Sequence, residues 1–215
     1  MHLFLDLDGT LTDSFVGIGR CINHALAELG REAVPEPRLR GMVGAPLTTI
    51  FGVLLASNEA PLLDRAVAAY RSRFNAIGIL ENDVFPGIPE ALHTFRESGH
   101  SLQVVTAKPT VSARRVVKHF ALDGYFEAIH GPELADLSCN KADLVMAALK
   151  KAGGHAAHAV MIGDRAEDIG AARAHGVRAV GAGWGYGSRA ELAAAEPDYV
   201  AETVSDLVAW VQSEG

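Results

Sequence analysis

Residues 3–9 read Leu3-Phe4-Leu5-Asp6-Leu7-Asp8-Gly9. The apolar residues predict a buried strand that ends at Gly9, but Asp6 adds a carboxylate that is costly to bury. Period-two alternation along a strand would put Asp6 and Asp8 on the same side, where their charges repel each other. A divalent cation would resolve that conflict, and Mg²⁺ prefers carboxylate, water and phosphate oxygens. An Asp-Gly turn is the alternative for Asp8, and it leaves Asp6 unexplained.

Short apolar strands alternate with helices from residue 86 onward, a pattern typical of a parallel sheet wound on both faces. The predicted strands are residues 102–106, 128–130, 159–163, 177–181 and 199–200. The predicted helices are residues 88–98, 110–120, 141–152, 166–175, 189–194 and 203–213. We therefore predict an α/β fold, a doubly wound parallel sheet of the Rossmann type.

The segment between the first strand and this alternating region has no convincing strand. Its helical patterns lie near residues 15–30, 47–55 and 61–77. Ser14 would cap the first helix and Gly30 would end it. The simplest arrangement is an α-helical cap domain, residues 14–80, inserted into an α/β core of residues 1–13 and 81–215. Ligands of open α/β sheets bind at the carboxyl ends of the strands, where such a cap would sit.

Thr106 ends a predicted strand and precedes a turn. Its hydroxyl could donate to a phosphate, together with the backbone N–H groups of Thr106, Ala107 and Lys108 before the next helix. The alternative is a β-branched residue that only favours the strand.

Asp164 also follows a predicted strand, after Gly163. A structural role is the stronger interpretation of this segment on its own. Asp164 and Glu167 have the spacing of a capping box, and Asp168 in the first turn suits the helix dipole.

Lys141 is less easily explained by local structure. Asn140 is a good N-cap, which puts Lys141 in the first helical turn, where the dipole disfavours a positive charge. A lysine is expected there if its ammonium is needed at a phosphate and a nucleophilic carboxylate. Lys108 is the competing candidate, and we favour Lys141.

The composition narrows the class of protein. The net charge of −7 and the absence of a Lys/Arg cluster argue against a nucleic-acid surface. No apolar run approaches the ~20 residues of a membrane span. Cys21 and Cys139 lack metal-ligand spacing and are expected to be reduced thiols, so we expect a cytoplasmic protein. The sequence leaves monomer or homodimer open.

Taken together, these segments resemble the haloacid dehalogenase superfamily of phosphohydrolases, in particular its phosphoglycolate phosphatase-like members with a small helical cap. The segment Asp6-Leu7-Asp8-Gly9-Thr10-Leu11-Thr12-Asp13-Ser14 is similar to the first motif of that superfamily. Val104–Pro109 is similar to the second motif, Lys141 with its helix to the third, and Met161–Asp168 to the fourth. All four occur in the expected order, with a gap after the first where a cap belongs.

The resemblance implies a role for each matching residue. Asp6 would be the nucleophile, and Asp8 the general acid and base. Thr106 and Lys141 would hold the phosphoryl group, with backbone near Gly9 and Thr10 assisting. Mg²⁺ would be bound by Asp6, the Asp8 carbonyl and Asp164, with Asp168 acting through water or from a more distant position. The implied substrate is a small phosphorylated metabolite, such as phosphoglycolate.

Substrate specificity is expected in the cap and the surrounding loops. Residues 40–46 resemble a glycine-rich loop able to approach the substrate, with Arg40 as a possible anion contact, although a turn between cap helices is as good an interpretation. Arg71 and Arg73 are interpreted as a solvated helix face, with the alternative that one of them faces the crevice. Residues 183–187, Gly-Trp-Gly-Tyr-Gly, are interpreted mainly as packing with possible closure over the site.

Several alternatives remain open at this stage. A sugar-phosphate mutase, a nucleotide or pyrophosphate phosphatase, and a non-catalytic binding protein could all use this fold. Dehalogenation is disfavoured because dehalogenases of this superfamily need neither Asp8 nor a metal. Phosphonate hydrolysis would need a cap lysine for a Schiff base, and residues 14–80 contain none.

Overall fold

The computed structural model describes residues 1–43, 45–133 and 139–214. The chain divides into two compact units, residues 1–13 with 84–215, and residues 14–83. The division lies three residues beyond the expected position at residue 80. The reason is local, because Glu81 still pairs with Arg73 of the helical unit.

Eight strands occur in the described part of the chain. They are β1 (His2–Leu5), β2 (Thr12–Asp13), β3 (Asp83–Val84), β4 (Ser101–Val105), β5 (Ala128–His130), β6 (Ala159–Gly163), β7 (Arg178–Ala182) and β8 (Tyr199–Ala201). Six form one parallel sheet in the order β5-β4-β1-β6-β7-β8, while β2 and β3 form a separate two-stranded sheet. The strand that carries the Asp6 motif therefore lies inside the main sheet, between β4 and β6.

Ten α-helices accompany these strands in the same described ranges. They are α1 (Phe15–Glu28), α2 (Glu36–Arg40), α3 (Leu47–Leu55), α4 (Ala60–Ala76), α5 (Ile88–Glu97), α6 (Thr110–His119), α7 (Lys141–Lys151), α8 (Ala166–Arg173), α9 (Arg189–Ala195) and α10 (Val204–Ser213). Within the described residues, none is both long and apolar enough to span a membrane.

Both faces of the central strand β1 are covered. Leu3, Phe4 and Leu5 are all buried. Phe4 belongs to a core cluster with Val145 of α7 and Ile169 of α8. A strand buried on both sides reads as a continuous apolar run, which is why the sequence predicted this strand and a doubly wound sheet. The doubly wound α/β fold is confirmed.

The predicted bounds of the other elements agree with the structure to within two residues at each end. One helix, α2, has no counterpart among the predicted helices, because Pro35 and Pro37 lie at its start and proline usually interrupts a helix. Pro37 instead occupies the first turn of α2, where its missing N–H costs nothing. Ser14 stands at the N-cap of α1 but makes no side-chain capping hydrogen bond. Gly30 ends α1 as predicted, with a positive φ of 66°.

The helical unit is built around contacts between α1 and α4. Arg73 on α4 donates two hydrogen bonds to Glu81, the shorter one 2.6 Å long, and Arg20 on α1 reaches the same carboxylate at 2.7 Å. The interpretation of Arg73 as a solvated residue is therefore wrong, while Arg71 is exposed. Neither Cys21, which is buried, nor Cys139 forms a disulfide within the described residues.

Candidate active site

Two neighbouring strands deliver carboxylates to the same edge of the sheet. Asp6 directly follows β1 and Asp164 directly follows β6, and the backbone N–H of Asp6 still bonds to Ile162 at 2.9 Å. Asp168, in the first turn of α8, completes the group. The three side chains are buried, and each offers an oxygen within 4.8 Å of the others.

Lys141 supplies a cation to this carboxylate cluster. Its Nζ lies 2.7 Å from Asp6 Oδ2 and also forms an ion pair with Asp168. Asn140 caps α7 by accepting a hydrogen bond from the backbone N–H of Asp143 at 3.0 Å. The predicted placement of Lys141 in a first helical turn is correct, and its buried ammonium faces the carboxylates.

Burial dominates the proton affinities of the carboxyl groups in this cluster. It raises the pKa of Asp6 to about 6, against the lowering effect of Lys141. It also raises the pKa of Asp164 to about 6, with the nearby Asp6 charge adding to the effect. Burial tends to lower the pKa of Lys141, but Asp168 and Asp6 outweigh it, so the net shift is upward. The ammonium therefore stays protonated.

The donor set fits a divalent cation of the Mg²⁺ type. Three buried carboxylates face one buried ammonium, so their negative charge is only partly balanced when all are ionised. Hard oxygen donors are the ligands that Mg²⁺ selects. A small dication would offset both the repulsion and the desolvation that raise these carboxyl pKa values.

The roles of Asp164 and Asp168 differ from the structural interpretation of this segment. The N-cap position of α8 is Arg165, and its backbone N–H donates to Asp168 at 3.0 Å. The expected Asp164–Glu167 capping box is therefore wrong. Asp164 instead accepts a hydrogen bond from the Thr10 hydroxyl at 3.3 Å and one from the backbone N–H of Tyr186 at 2.8 Å.

Asp8 faces a different lysine. Its Oδ2 lies 2.6 Å from Nζ of Lys108, a buried residue after β4. Its other oxygen, Oδ1, is buried and has no hydrogen-bond partner among the described residues. Because β1 ends at Leu5, the prediction of a strand that continues to Gly9 is wrong, and strand alternation does not govern Asp6 and Asp8. The two carboxylates pair with different lysines.

The remaining candidates of the α/β unit lie in the loops after β1 and β4. Thr106 is buried, and its hydroxyl oxygen accepts a hydrogen bond from the Lys108 N–H at 3.2 Å. Ala107 between them is exposed. Gly9 has a φ of +87°, and a Cβ there would collide with the Asp164 carboxylate. Gly9 is thus required by both conformation and space.

Arg40 belongs to the helical unit, where it ends α2. It pairs with Glu36 at 3.3 Å, and its guanidinium lies 4.2 Å from the centre of the Phe15 ring. Its role as an anion contact stays a prediction. Gly44, in the segment predicted to approach the substrate, lies outside the described residues.

The loop after β7, residues 183–187, makes more contacts with the site than its interpretation as packing predicted. Besides the Tyr186 N–H, the Gly187 N–H contacts Asp164 Oδ2 at 3.4 Å. Trp184 Nε1 donates to the backbone carbonyl of Thr10 at 3.0 Å, and the Tyr186 hydroxyl donates to Asp13 at 2.9 Å. The signal that could have revealed this loop is its alternation of glycine with aromatic residues after a strand.

Comparison with known proteins identifies the family. Residues 3–182 match the family model described as haloacid dehalogenase-like hydrolase. The chain is 41% identical to a Pseudomonas aeruginosa protein named 5'-nucleotidase, over 96% of this chain and 93% of that protein. It is 32% identical to a phosphoglycolate phosphatase of Mannheimia succiniciproducens, over 94% of each. It is also 37% identical to a Mycobacterium tuberculosis protein named tyrosine-protein kinase PtkA, covering 86% of this chain and 62% of that one.

Solved structures agree with this assignment. A haloacid dehalogenase-like hydrolase from Streptococcus pneumoniae superposes with a TM-score of 0.90 at 32% identity, covering 98% of each chain. A predicted phosphatase from Clostridium acetobutylicum gives a TM-score of 0.88 at 32% identity, over 99% of this chain and 98% of that one. The chain therefore belongs to the haloacid dehalogenase-like hydrolases and is an enzyme of the phosphatase type within that family.

Proposed function

We propose that this enzyme hydrolyses small phosphate monoesters with Mg²⁺, through a phosphoryl group carried transiently on Asp6. The observation that carries the proposal is the buried cluster of Asp6, Asp164 and Asp168, in which Asp6 and Asp168 share one lysine. A carboxylate held beside a second carboxylate and a fixed ammonium is suited to attack phosphorus once a dication screens its charge from the phosphate.

The proposed reaction has two displacement steps. A carboxylate oxygen of Asp6 attacks phosphorus, the bond from phosphorus to the ester oxygen breaks, and Asp8 gives its proton to the leaving alkoxide. Asp8 then takes a proton from water, the water oxygen attacks phosphorus, and the Asp6 carboxylate leaves with inorganic phosphate as product. A covalent intermediate divides one difficult hydrolysis into two easier steps.

Asp8 has to be released from Lys108 before it can act as an acid. The incoming phosphate is a competing anion for that ammonium, which is 2.6 Å from Asp8 in this structure. The Asp8 side chain is 24% exposed, so solvent can reach it. We therefore assign Lys108 to the phosphate site together with Thr106, Lys141 and the backbone N–H group of Ala107. The N–H groups of Gly9 and Thr10, which were expected to assist, already donate to the backbone carbonyls of Thr12 at 2.8 Å and Leu7 at 3.3 Å, so we do not assign them to this site.

Asp6, Asp164 and the backbone carbonyl of Asp8 are the proposed Mg²⁺ ligands. When bound, the ion supplies charge neutralisation between the nucleophile and the phosphate. Asp168 contacts Lys141 and the Arg165 N–H, which supports an indirect role in orienting the lysine rather than direct coordination.

Two substrate classes have support. The phosphoglycolate phosphatase relative supports a small phosphorylated acid, and the 5'-nucleotidase relative, at higher identity, supports a nucleoside monophosphate. The cytoplasmic location that we expect from the two cysteines stays a proposal.

A panel of phosphorylated metabolites tests this proposal. It should contain 2-phosphoglycolate, 5'-nucleotides and sugar phosphates, assayed with and without Mg²⁺ and ranked by kcat/KM. We expect Mg²⁺-dependent release of inorganic phosphate. Interconversion of sugar-phosphate isomers, or transfer of phosphate to a protein tyrosine, would mean that the enzyme transfers the phosphoryl group to an acceptor other than water. Binding without turnover of any ester would contradict an enzymatic role.

A further inference from the structure

The loop between β7 and α9, residues 183–187, bonds to the Asp164 carboxylate with its backbone. The N–H groups of Tyr186 and Gly187 lie 2.8 and 3.4 Å from Oδ2, while Oδ1 accepts the Thr10 hydroxyl. Asp164 is fully buried, so few other partners can set its orientation. The loop thus fixes one oxygen of this side chain while Thr10 holds the other.

The approach of this loop is too close for any side chain at two of its positions. A Cβ on Gly185 would collide with Asp164 and with the carbonyl of Gly9, and a Cβ on Gly187 would collide with the Asp164 carbonyl. The glycines therefore bring backbone directly against both the β6 end and the β1 end of the sheet. Neither needs a positive φ, so the requirement is space rather than backbone conformation.

The two aromatic side chains of the loop bond to the segment that follows Asp6. Trp184 Nε1 donates to the Thr10 carbonyl at 3.0 Å, and the Tyr186 hydroxyl donates to Asp13 at 2.9 Å. A single five-residue loop is consequently bonded to both sides of the carboxylate cluster, by backbone to Asp164 and by side chains to residues 10–13.

We propose that Trp184 and Tyr186 are positioning residues for the metal site, because they hold the loop after β1 in register with Asp164. The inference rests on the proposed function, in which Asp6 and Asp164 bind Mg²⁺. The hydrogen bonds of their side chains go to Thr10 and Asp13. Their effect is to keep the two ligands at the separation that one ion can bridge.

Metal sites are sensitive to such partners. Mutation of groups that orient the ligands costs about 10- to 100-fold in metal affinity. Trp184 and Tyr186 act through the backbone that bonds to Asp164 and through the segment 10–13, so the lower end of that range is expected. Each substitution should weaken Mg²⁺ binding by about tenfold.

The test measures Mg²⁺ binding without substrate. Tyr186→Phe keeps the ring and removes the hydroxyl that donates to Asp13, while Trp184→Phe replaces the indole by a smaller aromatic ring and removes the N–H that donates to Thr10. Tyr199→Phe is the matched control, since Tyr199 lies on β8 and stacks on Trp210, far in the sheet order from β1. Chelator-treated proteins are titrated with Mg²⁺ by calorimetry, and thermal unfolding is recorded in EDTA.

We expect about tenfold weaker Mg²⁺ binding in both loop variants, wild-type affinity in Tyr199→Phe, and nearly unchanged melting temperatures in EDTA. Unchanged Mg²⁺ affinity in the loop variants, while wild-type protein binds Mg²⁺ and Asp164→Asn does not, would overturn this inference and leave the proposed function standing. A wild-type protein that binds no Mg²⁺ would instead overturn the proposed function.

Discussion

The molecule contains two groups of charged side chains built from similar residues. They differ in how fully the negative charge of their carboxylates is compensated. In the helical unit, Arg73 and Arg20 share Glu81, and hydrogen bonding by Arg73 lowers the pKa of that carboxyl. In the α/β unit, Asp6 and Asp168 share Lys141 beside a third buried carboxylate, Asp164, and burial raises the pKa of Asp6 to about 6.

The difference distinguishes an ion pair that stabilises the fold from a cluster suited to chemistry. A carboxyl whose pKa is lowered is satisfied by its partners in the folded state. A carboxyl whose pKa is raised lacks enough compensation for its charge, and such groups concentrate at functional sites. The following predictions separate the two groups by experiment.

Removal of the shared lysine should have the largest effect. We expect Lys141→Met to lower kcat by about 10²- to 10³-fold, because the fixed positive charge beside the nucleophile is lost. Breaking a buried pair should also cost about 3–5 kcal/mol of stability. Steady-state kinetics and urea unfolding in EDTA measure the two effects.

Lys108→Met is the comparison variant for Lys141. Lys108 pairs with Asp8, which lies outside the carboxylate cluster. Its loss should therefore weaken substrate binding, and it should lower the stability of the protein less than the loss of Lys141 does. Equal stability losses in the two lysine variants would contradict the distinct roles that we assign to them.

The raised carboxyl pKa values predict how stability depends on pH in the absence of metal. Folding raises the pKa of Asp164 from 3.8 to about 6, so the folded state binds this proton more tightly than the unfolded chain does. Its contribution therefore favours folding at low pH and is lost as the pH rises from about 4 through about 6.

Asp164→Asn should remove that contribution. Between about pH 5 and 7, the wild type should lose stability relative to the variant by on the order of 1–3 kcal/mol in EDTA. Saturating Mg²⁺ should restore the wild type at pH 7. Chemical denaturation at both pH values measures the difference. If the free energy of unfolding depends on pH in the same way for both proteins, the charge of Asp164 is already compensated without metal, which contradicts our account.

The ion pair of the helical unit should matter least. Glu81→Gln removes a carboxylate whose side chain is 21% exposed, and the expected loss is about 1 kcal/mol. Because the pair is satisfied within its own unit, Mg²⁺ affinity measured by calorimetry should not change. Impaired Mg²⁺ binding in Glu81→Gln would contradict the claim that this ion pair only stabilises the fold.

Much of the α/β unit follows from sequence because its signals are local. Continuous apolar runs identify β4 and β6, and Asn140 identifies the start of α7. The candidate residues Asp6, Asp164 and Lys141 could be named because strand ends and helix starts converge in this topology. Their contacts then follow from the sheet order.

Other features depend on contacts that no local pattern encodes. Arg73 lies in an exposed-looking helical pattern, and only the fold brings it to Glu81. The capping of α8 shifted by one residue, because Asp164 bonds to a loop more than twenty residues away. The loop 183–187 was interpreted as packing since its partners, Thr10 and Asp13, are distant in sequence.

Covalent capture on Asp6 tests the central claim most directly. Wild-type protein is mixed with Mg²⁺ and a phosphate monoester that the panel identifies as a substrate, quenched in acid within the turnover time, and digested for mass spectrometry. We predict a single added phosphoryl group on the peptide that contains Asp6, and neither this adduct nor turnover in a folded Asp6→Asn variant. Full turnover by Asp6→Asn, or a phosphoryl group carried on another residue, would contradict the account.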